Sequence, residues 1–303
     1  MAKPALHTFK SIADLMRYLG QPGPVHPLIT IMQYDRQNVQ IGHPGDRIVM
    51  DFYKISFKTS FSGKVTYGQH HYDFQDGGLA FIGPRQIVAV PPAGDKSHEG
   101  LVLFFHPDVL RKHALANTIH TYSFFNYSTS EALFLSEKEK KVIASLFASI
   151  SDELSNNIDA FTQDILVSQI EQLLNQSNRC YHRQFITREV AHNELLVQME
   201  QLLSTLFEEK ALQHGLPTVQ SIAGQLNVSP HYLSDMLRSL TGQNTQQHIH
   251  NKLIEKAKEM LSSSRLSVAE IAYQLGFGYP QSFSKLFKRK MNVTPLAYRQ
   301  SFN

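Results

Sequence analysis

One stretch of this chain occurs twice. TVQSIAGQLNVSP (218–230) aligns with SVAEIAYQLGFGYP (267–280). Thr218 matches Ser267, Val219 matches Val268, Ile222-Ala223 matches Ile271-Ala272, Leu226 matches Leu275 and Val228 matches Phe277, all at an offset of 49. The second copy has one more residue in its turn, so the offset becomes 50. Pro230 then matches Pro280, Leu233 matches Phe283, Leu237 matches Phe287, Arg238 matches Lys288 and Gly242 matches Asn292. A recurring unit of this length is one supersecondary piece used twice. The small Ala223 and Ala272 suit a point where two helices cross closely.

Each copy reads as helix, tight turn, helix, stop. In the second, Ser267 with Glu270 three residues on forms a capping box. Val268, Ile271, Ala272 and Leu275 give an apolar stripe. Gly276-Phe277-Gly278 breaks the helix, and Pro280 suits the first turn of the next. Phe283, Leu286 and Phe287 form one buried face, and Gln281, Ser282, Ser284, Lys285, Lys288 and Arg289 form the other. Asn292 suits a left-handed helix end, and Pro295 prevents continuation. From residue 271 onward there are five Lys or Arg and no Asp or Glu. An amphipathic second helix with a basic outer face is the layout of a helix-turn-helix DNA reader. Gln281, Ser282 and Lys285 are placed to reach base edges, Lys288 and Arg289 to bind phosphates, and Tyr279 borders them. In the first copy the outward set is His231, Tyr232, Ser234, Asp235 and Arg238. Between the copies, NTQQHIHNKLIEKAKEMLSS (244–263) is an unbroken helical pattern. Eighteen residues of helix span about 27 Å, and successive major grooves on one face of DNA lie roughly 34 Å apart. Such a spacer, with the width of each unit, can set two recognition helices in adjacent grooves.

The first half is different. At 303 residues the chain is long enough for two or three domains. From about 28 to 106 it shows short runs rich in β-branched and aromatic residues: 28–34, 47–59, 64–74, 78–83, 85–90 and 100–106. Breaks such as DGG and PPAGD separate them, which predicts an antiparallel sandwich or small barrel. Residues 1–25 read as an arm with one short helix over 11–20. Helices are expected over 136–155, 160–185 and about 189–209, with the linker near 183–190. The first two are candidates for forming a dimer, and equally for packing on their own domain. The organisation expected is a sensory domain over 1–125, a helical dimerisation region over 126–186 and a DNA-binding domain over 187–303. Within the last, the first helix-turn-helix covers about 216–242, the linker helix 244–263 and the second unit about 267–291. The fold class is α+β.

The residues of the C-terminal part resemble the AraC/XylS family of bacterial transcription regulators. The likeness covers about 195–303. It is strongest in IAYQLGF…SFSKLFKRKMNVTPLAYR, which is similar to the family's signature. The resemblance implies seven helices carrying two helix-turn-helix units on one linker. Three departures stand out. Asn292 occupies a usual glycine position, GFGYPQ lacks the polar residue common after the LGF phenylalanine, and Asp235 stands where a basic residue is frequent. Affinity is therefore expected to rest more on the second unit and base selection more on the first. The sheet before these helices resembles the family's cupin-like sensory half. A small-molecule effector is then expected there, with Tyr53, Tyr67, Tyr72, Phe81 and Arg85 as candidate lining.

The expected partners are double-stranded DNA, such an effector, RNA polymerase and a second copy of the chain. A single cysteine, Cys180, allows no internal disulfide and fits a reducing compartment. With no apolar run of signal or membrane-span length, a cytoplasmic protein is expected. No cofactor is implied. His70 and His71 alternate across a strand and cannot chelate together simply, and neither C-x-x-C nor H-E-x-x-H occurs. No nucleophile or phosphate-loop motif argues for an enzyme. The competing readings are a cupin enzyme fused to a DNA-binding module, and a regulator whose first half only dimerises.

Overall fold

The computed structural model describes residues 5–34, 43, 45–61, 64–67, 70–73, 77–90, 98–128, 131–187, 189–208 and 215–302. Side chains at 59–61, 64–67, 70–73, 98, 189–191 and 208 lie outside that description. The chain divides into two units, Met1–Gln184 and Phe185–Asn303.

The first unit opens with β1 (Leu6–Phe9) and α1 (Ile12–Tyr18). Strands β2 (Ile29–Tyr34), β3 (Arg47–Met50), β4 (Tyr53–Phe61), β5 (Lys64–Tyr67), β6 (His70–Asp73), β7 (Gly78–Ile82), β8 (Ile87–Ala89) and β9 (His98–Phe105) follow. After short 3-10 turns come α2 (Leu115–Thr118), β10 (Leu133–Phe134), α3 (Glu137–Ser155) and α4 (Thr162–Thr187). The strands form a five-stranded sheet in the order β10-β7-β4-β9-β2, a three-stranded sheet β1-β3-β8 and the hairpin β5-β6. The larger sheet is antiparallel throughout. In the smaller, β1 runs parallel to β3.

Three departures from the sequence pattern have local causes. The supposed arm supplies β1, a four-residue strand held by non-local pairing with Arg47–Met50. The run 47–59 folds as two strands because the chain bends at Asp51 and Phe52, where Phe52 is fully buried. Within the stretch expected as the linker, residues 183–187 continue α4, and the division between the two units falls inside that helix, after Gln184.

Strand pleating gives the five-stranded sheet two distinct faces, because alternate side chains point to opposite sides. One face carries Tyr53, Ile55 and Phe57 of β4. Phe57 meets Phe147 of α3 at 5.6 Å between ring centroids. Phe81, opposite Ile55 in the register, meets Phe124 at 4.4 Å. The buried residues of α3, Ile143, Leu146, Phe147 and Ile150, are thus spent at least partly on its own unit. The other face carries Phe52, Met32, Ile82, Val102 and Phe104. They form one core cluster with Ile12, Leu15 and Met16 of α1, and Ile48 and Val88 of the smaller sheet pack against it.

The second unit is helical: α5 (Glu189–Glu208), α6 (Val219–Gln225), α7 (Pro230–Thr241), α8 (Thr245–Ser263), α9 (Val268–Gln274), α10 (Pro280–Met291) and α11 (Pro295–Gln300). Among the described residues no helix is long and apolar enough to cross a membrane.

Candidate nucleic-acid interface

The two repeats fold into matching hairpins, α6–α7 and α9–α10. Each first helix has seven residues and each second helix twelve. Thr218 and Ser267 both close capping boxes, with Ser221 and Glu270 as the reciprocal partners. The turns share their hydrogen bonds at the offset seen in the sequence. Val228 N donates to Ala223 O at 3.0 Å, and Phe277 N donates to Ala272 O at 3.0 Å. The left-handed turn residue is Asn227 (φ 56°) in one hairpin and Gly276 (φ 83°) in the other. Gly276 is also pressed against the chain before the first hairpin. A Cβ there would lie 2.8 Å from Gly215 C and 2.9 Å from Leu216 N. The second helices end alike, on Gly242 (φ 73°) and Asn292 (φ 61°). Asn tolerates that conformation better than other residues with a Cβ, so its replacement of glycine costs the fold little.

Linker α8 has nineteen residues, about 28 Å of helix. Ile249, Leu253, Ile254, Ala257 and Leu261 bury one side of it. Asn251 Oδ1 accepts from Lys290 Nζ at 3.0 Å, and Asn251 Nδ2 donates to Gln243 Oε1 at 2.7 Å. The linker is thereby tied to the ends of both second helices. At its far end Arg299 Nε of α11 donates to Leu261 O at 3.2 Å.

In α10 the apolar positions point inward. Phe283 and Phe287 are fully buried and Leu286 is nearly so. Phe277, Phe283, Phe287 and Tyr298 stack in sequence at ring separations of 5.5 to 5.8 Å. Gln281, Ser282, Lys285, Lys288 and Arg289 are all exposed on the opposite side. Tyr279, at the N-cap, is 74% exposed and offers no side-chain cap. In α7 the same position is Ser229, whose Oγ accepts from Tyr232 N at 3.2 Å. Pro280 carries no N–H and Ser282 N donates to Tyr279 O at 3.1 Å, so the missing side-chain cap leaves the Gln281 amide as the first-turn donor that a phosphate oxygen can accept from. Lys290 is a cation that the sequence pattern did not single out, although it continues the basic run of α10.

The first hairpin presents a thinner surface. His231 and Arg238 are exposed, while Ser234 and Asp235 are half-buried. Ser234 Oγ lies 3.0 Å from Thr245 Oγ1, and Arg238 Nη1 donates to Asp235 Oδ1 at 2.9 Å. Tyr232 does not belong to the outward set. It is fully buried, and its hydroxyl lies 3.1 Å from Nε2 of the buried His192. The ring also meets Phe185 edge to face at 5.3 Å. In the repeat Tyr232 corresponds to the exposed Ser282. The difference arises because α5 and the residue Phe185 cover this side of the first hairpin.

Of the candidate effector residues of the first unit, Tyr53 and Phe81 lie on one face of the sheet and both meet Phe125, whereas Arg85 stands in a turn. Tyr53 stacks on Phe105 at 4.8 Å and meets Phe125 at 4.7 Å, and burial raises its hydroxyl pKa. Phe81 packs on Phe124, Phe125 and Tyr181. Both belong to the helix-covered aromatic face. Arg85 is exposed in a turn at φ 65°, 3.5 Å from Asp51 Oδ1. The side chains of Tyr67, Tyr72, His70 and His71 lie outside the described residues.

Comparison with known proteins agrees with the hairpin geometry. A family model described as "Helix-turn-helix domain" matches residues 222–301. The chain is similar to the regulatory protein PocR of Salmonella typhimurium, with 33% identity over 85 residues, 28% of each chain. It is also similar to the HTH-type transcriptional activator RhaS of Salmonella arizonae, with 37% identity over 81 residues, 27% of this chain and 29% of that one. It therefore spans under a third of the length of these relatives. Among solved structures it is similar to the C-terminal domain of AraT, a response regulator from Geobacillus stearothermophilus. That likeness has 33% identity, covers 35% of this chain and 84% of the other, and has a TM-score of 0.32. The paired hairpins of the second unit form a helix-turn-helix DNA-binding domain of the AraC type.

Proposed function

We propose that the protein is a sequence-specific transcription regulator whose two recognition helices, α7 and α10, enter successive major grooves of double-stranded DNA. The observation that carries this reading is the matched pair of hairpins on the two sides of one nineteen-residue helix. A spacer of about 28 Å suits grooves roughly 34 Å apart. α10 is the anchor: Lys288, Arg289 and the uncapped first turn meet phosphates, and Gln281, Ser282 and Lys285 meet base edges, with Tyr279 alongside. α7 contributes His231 and Arg238, with Ser234 and Asp235 at the margin. Asp235 holds Arg238 by an ion pair, which trims the non-specific attraction of that helix.

On this reading Met1–Gln184 is the sensory and dimerising part. Exposed Val142, Ile158, Phe161 and Ile165 on and between α3 and α4 are apolar surface that a second copy would cover. A small-molecule effector shifts the population of DNA-competent conformers. The protein works in the cytoplasm as a homodimer, within reach of RNA polymerase. The regulatory names of its relatives favour this reading over an enzyme.

Salt dependence tests the division of labour. Each phosphate contact contributes about 0.9 to the slope of log affinity against log salt. Lys288→Ala is expected to lower that slope by about 0.9 and to weaken binding on every sequence alike. Gln281→Ala and Arg238→Ala are expected to change preference at single positions, by about 1–3 kcal/mol each. Equal losses on specific and random DNA for all three variants would overturn the assignment.

A further inference from the structure

The two hairpins are held on α8 in different ways. α7 packs directly on α8, whereas α10 packs on α9 and α11, and these two pack on α8. The contacts of Ile249, Leu253, Ile254, Ala257 and Leu261 are apolar, and apolar burial is non-directional. It keeps the hairpins on the linker without choosing the angle at which each second helix stands. One polar residue reaches both. Asn251 Oδ1 accepts from Lys290 Nζ, in the last turn of α10, at 3.0 Å. Asn251 Nδ2 donates at 2.7 Å to Oε1 of Gln243, the residue after the Gly242 that ends α7. Asn251 and Gln243 are half-buried and Lys290 is exposed. The first hairpin has a second tie to the linker, Ser234 Oγ to the buried Thr245 Oγ1 at 3.0 Å. Among the described residues no side-chain hydrogen bond other than Lys290–Asn251 joins α10 to α8.

One amide thus uses its acceptor on one recognition helix and its donor at the end of the other. Hydrogen bonds are directional, and in coiled coils a single asparagine among apolar positions specifies register. We propose that Asn251 is a positioning residue for DNA recognition, which fixes the separation and phase of α7 and α10 and so the half-site spacing that the protein accepts. It acts through Gln243 and Lys290 and touches no DNA. Lys290 then serves the linker, whereas Lys288 and Arg289 serve phosphates. This rests on the two-groove reading above and adds the residue that sets its geometry.

The test uses the full chain and three duplexes that carry a selected binding site: one unaltered, one with a base pair removed between the halves, and one with a base pair inserted there. One base pair turns one half by about 35° and moves it by about 3.4 Å. Affinities are read by fluorescence anisotropy. The unaltered protein is expected to bind either changed duplex at least about tenfold more weakly. Asn251→Ala should lose less than about threefold on the unaltered duplex and distinguish the three by less than about threefold. Its slope of log affinity against log salt should not change, because no phosphate contact is lost. Asn251→Asp should restore the discrimination, since one carboxylate oxygen accepts from Lys290 and the other from Gln243 Nε2 once that amide turns over. Gln243→Ala and Lys290→Met each break one arm on a more exposed residue, so they carry the test if Asn251→Ala folds poorly in a thermal melt. Each should relax the discrimination at an unchanged salt slope. A slope lowered by about 0.9 in Lys290→Met would set Lys290 on a phosphate and overturn the tie. Full discrimination in Asn251→Ala, or an equal loss on all three duplexes that Asn251→Asp does not restore, overturns the positioning role and leaves the two-groove reading standing. An unaltered protein indifferent to spacing refutes the two-groove reading, and the positioning role with it.

Discussion

Replacing Tyr232 with phenylalanine separates two accounts of the first recognition helix. The sequence pattern sets Tyr232 on the DNA-facing side, and the structure sets it in the core. His192 Nδ1 lies 2.8 Å from Phe185 O. A carbonyl only accepts, so Nδ1 carries a proton. In the neutral ring Nε2 is then the acceptor, and the Tyr232 hydroxyl donates to it at 3.1 Å. Both side chains are at most 1% exposed, so water cannot replace the lost donor in Tyr232→Phe. A buried acceptor deprived of this partner costs about 1–3 kcal/mol. For a unit of this size that is roughly 4–10 °C in melting temperature. Calorimetry of the full chain reads it, the relevant transition being the one that DNA raises. Below that transition, affinity for specific DNA should change less than twofold. Unchanged stability with a tenfold loss of DNA affinity would refute the buried assignment.

Two further substitutions probe the hairpins. Gly276→Ala adds a Cβ 2.8 Å from Gly215 C at a positive φ, and should cost at least about 2 kcal/mol by thermal melt. Gly242→Ala has the same left-handed backbone but open space around it, so only the backbone term of about 1–2 kcal/mol applies. Equal losses in the two variants would show that the close approach to residues 215–216 is not tight. Asn292→Ala should cost about 1 kcal/mol, whereas Asn292→Gly should be nearly neutral, because only the former loses tolerance of φ 61°.

The C-terminal unit was legible in the sequence because its determinants are local. Caps, turns and 3.6-residue stripes lie within each thirty-residue repeat, and the repeat itself multiplies the signal. Where the two copies differ in their surroundings, that reasoning failed. Tyr232 looks outward by analogy with Ser282, and only the non-local approach of His192 and Phe185 buries it. Lys290 looks like one more surface cation until Asn251, thirty-nine residues away, accepts from it. The first unit was less legible because sheets are non-local. Strand spacing announced an antiparallel β structure. It did not announce the parallel pairing of Leu6–Phe9 with Arg47–Met50. Nor did it show which face of β4 meets the helices. Tyr53 and Lys54 are neighbours, and pleat parity alone sends one to the aromatic helix-covered face and the other to the opposite face.

The central claim is that one rigid linker sets two recognition helices at a fixed groove-to-groove distance. It is tested most directly by inserting base pairs between the two halves of a selected binding site and measuring affinity by gel shift. Five inserted base pairs rotate one half by about half a helical turn. That should cost at least about tenfold, because one helix loses its base contacts. Ten inserted base pairs restore the phase but add roughly 34 Å, more than the helix α8 can reach, so affinity should stay low. Affinity that is indifferent to both insertions, or recovers fully at ten, would contradict the rigid two-groove reader.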